Sequence, residues 1–292
     1  MIKVGIVGAL GEVAQRTITL LLHHPDVDLR WVCSQREWLL PKLMPHLAGE
    51  TTLSTINDPD WDEVDVVVVA SMAEMPFEQL QQINAIEDLK VIDLTDGSIL
   101  ADSTYICGLA ELNRKHIVRG GKHVLCPSPL LHILTLPLLP LAHNLMLTAD
   151  IHVTVVGAND YATDSSEVAQ QAEALLATLQ NSFDRNIYVN HLPLNTQRGL
   201  MASFNIECNI PLEMIRETYD KYLDDHNFTF VVDHCSLADV LGTNKCLIQL
   251  DRKSDRLVIN AFIDNLVKGG AGTAVHDLNL LFGLQERVGL MM

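Results

Sequence analysis

"MIKVGIVGALGEVAQ", residues 1–15, decides the fold. A short β-branched run meets a turn holding Gly8 and Gly11, and helical spacing begins directly after it. Strand, glycine turn and helix in that order open a βαβ unit. A turn without side chains lets backbone N–H groups approach a pyrophosphate, and the helix N-terminus adds partial positive charge. Ala14 stands where a third glycine is common. A tight turn that binds nothing would use the same residues. Its place at the first β–α junction favours a dinucleotide.

The pattern continues outward. "VAQRTITLLLHHP" (13–25) has helical spacing, and "VDLRWVCS" (27–34) reads as a second strand. "VDVVVVAS" (64–71) is the continuous apolar run of a parallel strand covered on both faces. "PFEQLQQINAIE" (76–87) is helical and "LKVIDLT" (89–95) is another buried strand. This alternation predicts an α/β chain with a Rossmann-like, doubly wound parallel sheet. After residue 148 strands and helices stop alternating, which predicts an inserted α+β domain. The tail "GGAGTAVHDLNLLFGLQE" (269–286) reads as a helix entered from glycines and returning to the first domain. The expected boundaries are 1–128 plus 267–292 for the dinucleotide domain and 129–266 for the insert.

The totals narrow the partners. The net charge is -17, so the chain repels phosphate backbones and a nucleic-acid partner is not expected. A small anionic ligand needs local features to hold it. The six cysteines form no C-x-x-C pair, so neither a metal site nor a disulfide framework is expected. A reduced, cytoplasmic setting without a signal peptide is the expectation. "PLLHILTLPLLPL" (129–141) holds His132 and three prolines. It predicts a core helix bent near Pro137 and no membrane span.

The second strand ends "VCSQRE" (32–37), without the acidic residue that holds the ribose of NAD. Ser34 and Arg36 suit a 2′-phosphate, which points to NADP. An ordinary surface arginine is the alternative.

Six segments carry a family likeness: "KVGIVGALGE", "VIDLTD", "GLAELNRKHI", "LLPLAHNLML", "TNKCLIQLD" and "IDNLVKGGAGTAVHDLNLLFGLQERVGL". In these the chain resembles the N-acetyl-γ-glutamyl-phosphate reductases, within the semialdehyde dehydrogenase superfamily. The resemblance implies NADPH-dependent reduction of an acyl phosphate to a semialdehyde in arginine biosynthesis. It implies a cysteine nucleophile, a histidine partner in the second domain, and an oligomer. It also implies that Asn265, Lys268 and Gly269, beside Asp264, position the nicotinamide end. Packing alone is the alternative for that block.

The departures bear on chemistry. The family's Asn-Pro-Gly-Cys falls on Cys126, Pro127, Ser128 and Pro129, so the nucleophile slot is Pro129. Proline has no nucleophilic atom, and Ser128–Pro129 is instead a good N-cap and first helical pair. The family's histidine motif has no counterpart between His152 and His191. In the glycine loop Leu10 and Val13 replace small hydroxyl residues. Glu12 replaces a tyrosine, and a carboxylate there repels a pyrophosphate. Arg198 in "TQRGL" is kept and is the candidate for an anionic substrate, with a surface role as the alternative. Cys126 is the one weak rescue candidate in the loop. His132 reads as a core residue, His191 as a strand residue facing site or solvent, and His234 has no evident partner.

The expectation is a divergent family member that binds NADP weakly, lacks the thioester chemistry, and acts as a binding, regulatory or partner subunit. It would form a homo-oligomer or pair with an active relative. The alternative is an active reductase using Cys126 or another nucleophile.

Overall fold

The structure is a computed structural model describing residues 1–71, 82–83, 85–95, 105–158 and 164–291. The chain divides into two compact units, Met1–Ser128 with Gly270–Met291, and Pro129–Gly269. The helix expected over residues 76–87 lies largely outside the described residues.

Unit 1 is built on a seven-stranded parallel sheet. Its strands are β1 (Ile2–Val7), β2 (Val27–Cys33), β3 (Thr55–Ile56), β4 (Val66–Val69), β5 (Lys90–Asp93), β6 (Tyr105–Cys107) and β7 (His123–Leu125). Their order is β3-β2-β1-β4-β5-β7-β6. All four valines of β4 are buried, as a strand covered on both faces requires. The order reverses direction between β1 and β4, and open α/β sheets bind ligands at such a switch point. Helices α1 (Glu12–Leu22) and α2 (Ala110–Gly120) belong to this unit. So does the C-terminal helix, Gly272–Leu281, every residue of which is buried. It packs on α1, α2 and β5, so the expected return of the tail is observed. A π-helical turn, Val267–Ala271, leads into it.

Unit 2 holds a six-stranded mixed sheet. Helices α3 (Pro129–Thr135) and α4 (Leu139–His143) precede β8 (Ile151–Gly157). Then follow α5 (Ser165–Leu179), β9 (Ile187–Pro193), β10 (Leu200–Glu207), α6 (Leu212–Leu223), β11 (Thr229–Val231), β12 (Cys246–Lys253) and β13 (Arg256–Ile263). The strand order is β11-β12-β13-β10-β8-β9. β8 pairs β9 in parallel and β11 pairs β12 in parallel, with antiparallel pairs between.

The proline-rich stretch differs in detail from its expected course. α3 begins at Pro129, where the missing N–H costs nothing. It gives way to a 3₁₀ turn at Leu136–Leu138 before α4 resumes the path. Pro137 and Pro140 cannot donate to the α ladder, which explains the break. The buried Tyr219 hydroxyl of α6 donates to the Pro137 carbonyl at 2.5 Å and fixes the bend. The C-terminal helix of unit 1 is α7 in chain order.

Candidate functional site

The turn after β1 is tied to both neighbouring strands. Gly8 N–H donates to Cys33 C=O at 2.9 Å, and Ser71 N–H donates to Val7 C=O at 3.2 Å. Gly8 has φ +100°, and a Cβ there would lie 2.8 Å from the Ser71 nitrogen. Only glycine fits. Gly11 is different: its φ is -72° and a Cβ there would touch nothing. Its missing side chain instead leaves the start of α1 bare. Among the described residues no side-chain cap closes that end, which leaves its first N–H groups to an anion. Leu10 and Glu12 are exposed beside it and Val13 is half-buried. The Glu12 carboxylate stands in the first turn, where it competes with a phosphate for the helix dipole.

At the end of β2, Ser34 is buried and its N–H donates to Ile56 C=O at 2.8 Å. Arg36 is exposed, while its carbonyl accepts from Thr55 Oγ1 at 2.7 Å. The backbone is anchored and the guanidinium faces solvent. Of the two residues expected to meet a 2′-phosphate, Arg36 is the better placed.

Cys126 follows β7 and is 2% exposed. Its Sγ donates to Asp277 Oδ2 of α7 at 3.5 Å. Burial pushes the thiol pKa well up, and the Asp277 charge and hydrogen bond add to this, with Asp93 and Cys107 behind them. Cys107 is pushed up to about 12, chiefly by burial and further by Asp277, against a backbone hydrogen bond from Leu109. A nucleophilic cysteine needs the reverse, a thiolate favoured by positive surroundings. These thiols stay protonated.

A stability trend follows from their shifts. Above about pH 8.5 an unfolded cysteine loses its proton. The folded chain keeps the protons on Cys126 and Cys107, so the native state binds more of them and stability falls as pH rises. The slope approaches about 1.4 kcal/mol per pH unit for each thiol. Urea midpoints should fall between pH 8 and pH 10, with a shallower fall in Cys126→Ala. Midpoints that stay level across that range would contradict the burial argument.

In unit 2, Asp264 is fully buried and its carboxylate accepts four hydrogen bonds. They come from Arg198 Nη2 at 2.5 Å, Gly242 N–H at 2.7 Å, Leu266 N–H at 2.9 Å and Val267 N–H at 3.2 Å. Arg198 is thus held by a carboxylate of its own unit. Asn265 Oδ1 accepts from Gly199 N–H at 2.6 Å. Lys268 is buried, with Nζ 5.8 Å from the Phe228 ring centre. A Cβ on Gly269 would lie 2.6 Å from Pro129 Cβ, so this glycine permits close packing against the start of α3. His132 is buried, His191 is half-buried on β9 and His234 is exposed.

Residues 3–119 match the semialdehyde dehydrogenase NAD binding domain, and residues 163–265 match the semialdehyde dehydrogenase dimerisation domain. The N-acetyl-gamma-glutamyl-phosphate reductase of Parabacteroides distasonis is 35% identical, covering 99% of this chain and 98% of that protein. The chain belongs to the N-acetyl-γ-glutamyl-phosphate reductase family. The reductase of the same name from Phocaeicola vulgatus is also 35% identical, over 100% of this chain and 98% of its own. The fold is shared more widely. Aspartate semialdehyde dehydrogenase II of Vibrio cholerae superposes with a TM-score of 0.73 at 15% identity, covering 97% of this chain and 98% of that one.

Within this reductase family chain, the sequence reading missed the acid–thiol cluster of Asp93, Cys107, Cys126 and Asp277. Asp93 is a buried acid at a strand end, which "VIDLT" displays. Asp277 lies 151 residues from Cys126, and nothing local in the sequence joins them. Among the described residues no group of three or more His, Cys, Asp or Glu side chains could hold a metal ion. Among them too, no helix is long and apolar enough to cross a membrane.

Proposed function

We propose that this chain is a reductase-family protein that keeps an NADP(H) site and has lost the cysteine-thioester step. It acts in the cytoplasm as a binding, regulatory or partner subunit, as a homo-oligomer or beside an active relative. The observation that carries this reading is the state of Cys126, the one thiol of the nucleophile loop. It is buried against a carboxyl group and held protonated, and in this reading the nucleophile slot is Pro129, the first residue of α3. The dimerisation-domain match supports the oligomer.

The residues present fit a dinucleotide. The Gly8–Gly11 turn and the uncapped start of α1 would hold the pyrophosphate, weakened by Glu12, Leu10 and Val13. Arg36, with Ser34 behind it, would hold the 2′-phosphate. For Asn265, Lys268 and Gly269 this reading keeps only the role that the family resemblance implies, at the nicotinamide end. A bound NADPH supplies hydride chemistry in this family. Arg198 serves an anionic ligand in this reading only through a guanidinium already braced by Asp264.

The cofactor preference is testable. NADPH should bind at least about tenfold more tightly than NADH, since an arginine–phosphate hydrogen bond contributes about 1.5–3 kcal/mol. Arg36→Ala should bring the two affinities together. Calorimetry that finds neither cofactor bound at millimolar concentration would remove the site from the proposal.

A second reading, an active reductase, draws on 35% identity to full-length reductases. Reductase assays in both directions, beside NADPH calorimetry on the same sample, separate the two. Turnover abolished by Cys126→Ala would establish the active enzyme; cofactor binding without turnover supports the proposed subunit.

A further inference from the structure

The far edge of the unit 1 sheet carries a feature that the dinucleotide site does not use. Among the described residues β6 is the last strand on its side, and α2 lies beside it. A groove of about 640 Å³ runs there, lined among others by Tyr105, Cys107, Asn113, Lys115, His116 and Arg119. That volume lies within the usual range for small-molecule sites. β4, β5 and β7 separate this edge from β1 and its glycine turn.

The charge of the groove opposes that of the chain. The whole sequence has 20 Lys and Arg against 37 Asp and Glu. Between Glu111 and His123 it has four Lys or Arg, two His and one acid. Glu111 is buried, and Arg114 turns inward to Glu286 at 3.2 Å. Lys115, His116 and Arg119 remain exposed. Among the described residues no carboxylate pairs with any of these three. Elsewhere Arg30, Arg185, Arg216 and Lys253 each lie within ion-pair distance of an aspartate. Lys115 and Arg119 thus put two cationic side chains on one face of α2, with the His116 imidazole beside them.

Lys115 and Arg119 are one helical turn apart and repel each other. An anion between them relieves that repulsion. The planar arginine fork matches a carboxylate or phosphate, and the lysine adds a point charge. Asn113 Nδ2 donates to Cys107 C=O at 2.9 Å, which fixes the amide in the groove. Tyr105 packs on His123, ring centres 4.9 Å apart, and forms a rigid wall. We infer that this groove binds a small polyanion carrying two or more carboxylate or phosphate groups. A nucleic acid, the other polyanion, is disfavoured by the chain's net charge of -17.

Calorimetry on the full chain at low salt tests this, with citrate as the carboxylate probe and inorganic pyrophosphate as the phosphate probe. Binding of either at submillimolar concentration is expected. The double variant Lys115→Gln/Arg119→Gln should weaken it at least tenfold. Lys42→Gln, at an exposed lysine that lines neither the groove nor the cofactor turn, should change it less than twofold. All three side chains are exposed, so circular dichroism should show the fold intact in each variant. No binding of either probe overturns the inference. So does unchanged affinity in the double variant, or an equal loss in Lys42→Gln, which would make the effect one of overall charge.

Discussion

Replacing Asp264 by alanine is expected to destabilise the protein by about 3–5 kcal/mol, because it orphans several donors that its buried carboxylate satisfies. The carboxylate has no exposed surface, and it organises three backbone N–H groups as well as the Arg198 guanidinium. Removing it leaves donors from three separate segments without an acceptor. Each buried donor so orphaned costs about 1–3 kcal/mol on its own, and the effects are not additive. Arg198→Ala should cost less, about 1–2 kcal/mol. Its side chain is 36% exposed, and Asp264 keeps its three backbone donors. Urea unfolding of the two variants checks both size and order. A loss below 1 kcal/mol for Asp264→Ala, or a larger loss for Arg198→Ala, would sink the account of Asp264 as an organising acceptor.

This network marks where the sequence stops being legible. Unit 1 could be read because periodicity is local: four buried valines in a row make β4, and Gly8 at a strand end makes the turn. The bend in the proline stretch was legible for the same reason, since Pro137 acts on its own helix. β6 is three residues long, too short for an alternating pattern to show. Asp264 reads in "IDNLVKG" as one acid of many. Its meaning depends on Arg198 and Gly242, 66 and 22 residues away. Arg198 could be seen as a cation, and its engagement by a buried carboxylate could not. The same holds for Cys126. The expectation that Pro129 fills the nucleophile slot rests on one residue, but the protonated state of the nearby thiol depends on Asp277 in the last helix.

The second large effect is on chemistry. If the nucleophile is lost as proposed, phosphate-dependent oxidation of the semialdehyde should run at least about 10⁴-fold below a working relative, because a covalent mechanism has no substitute for it. Cys126→Ala should leave that background unchanged, since its thiol is buried and held protonated. Pro129→Cys tests the slot directly. Position 129 is the first residue of α3 and partly exposed, and Gly269 leaves room beside it. The new thiol stands at a helix N-terminus, where the dipole lowers its pKa below the ordinary value of about 8.5. Labelling at pH 7 followed by peptide mapping should find residue 129 modified quickly and Cys126 unmodified. The triple variant Cys126→Asn, Ser128→Gly, Pro129→Cys restores the family loop. It should fold and carry the reactive thiol, yet turn over poorly without a histidine to move the proton. If position 129 labels no faster than Cys126, the alignment of the slot with the start of α3 is wrong. If the triple variant regains family-like turnover, unit 2 holds an acid–base group that replaces the missing histidine, and the chain is one substitution cluster away from an enzyme.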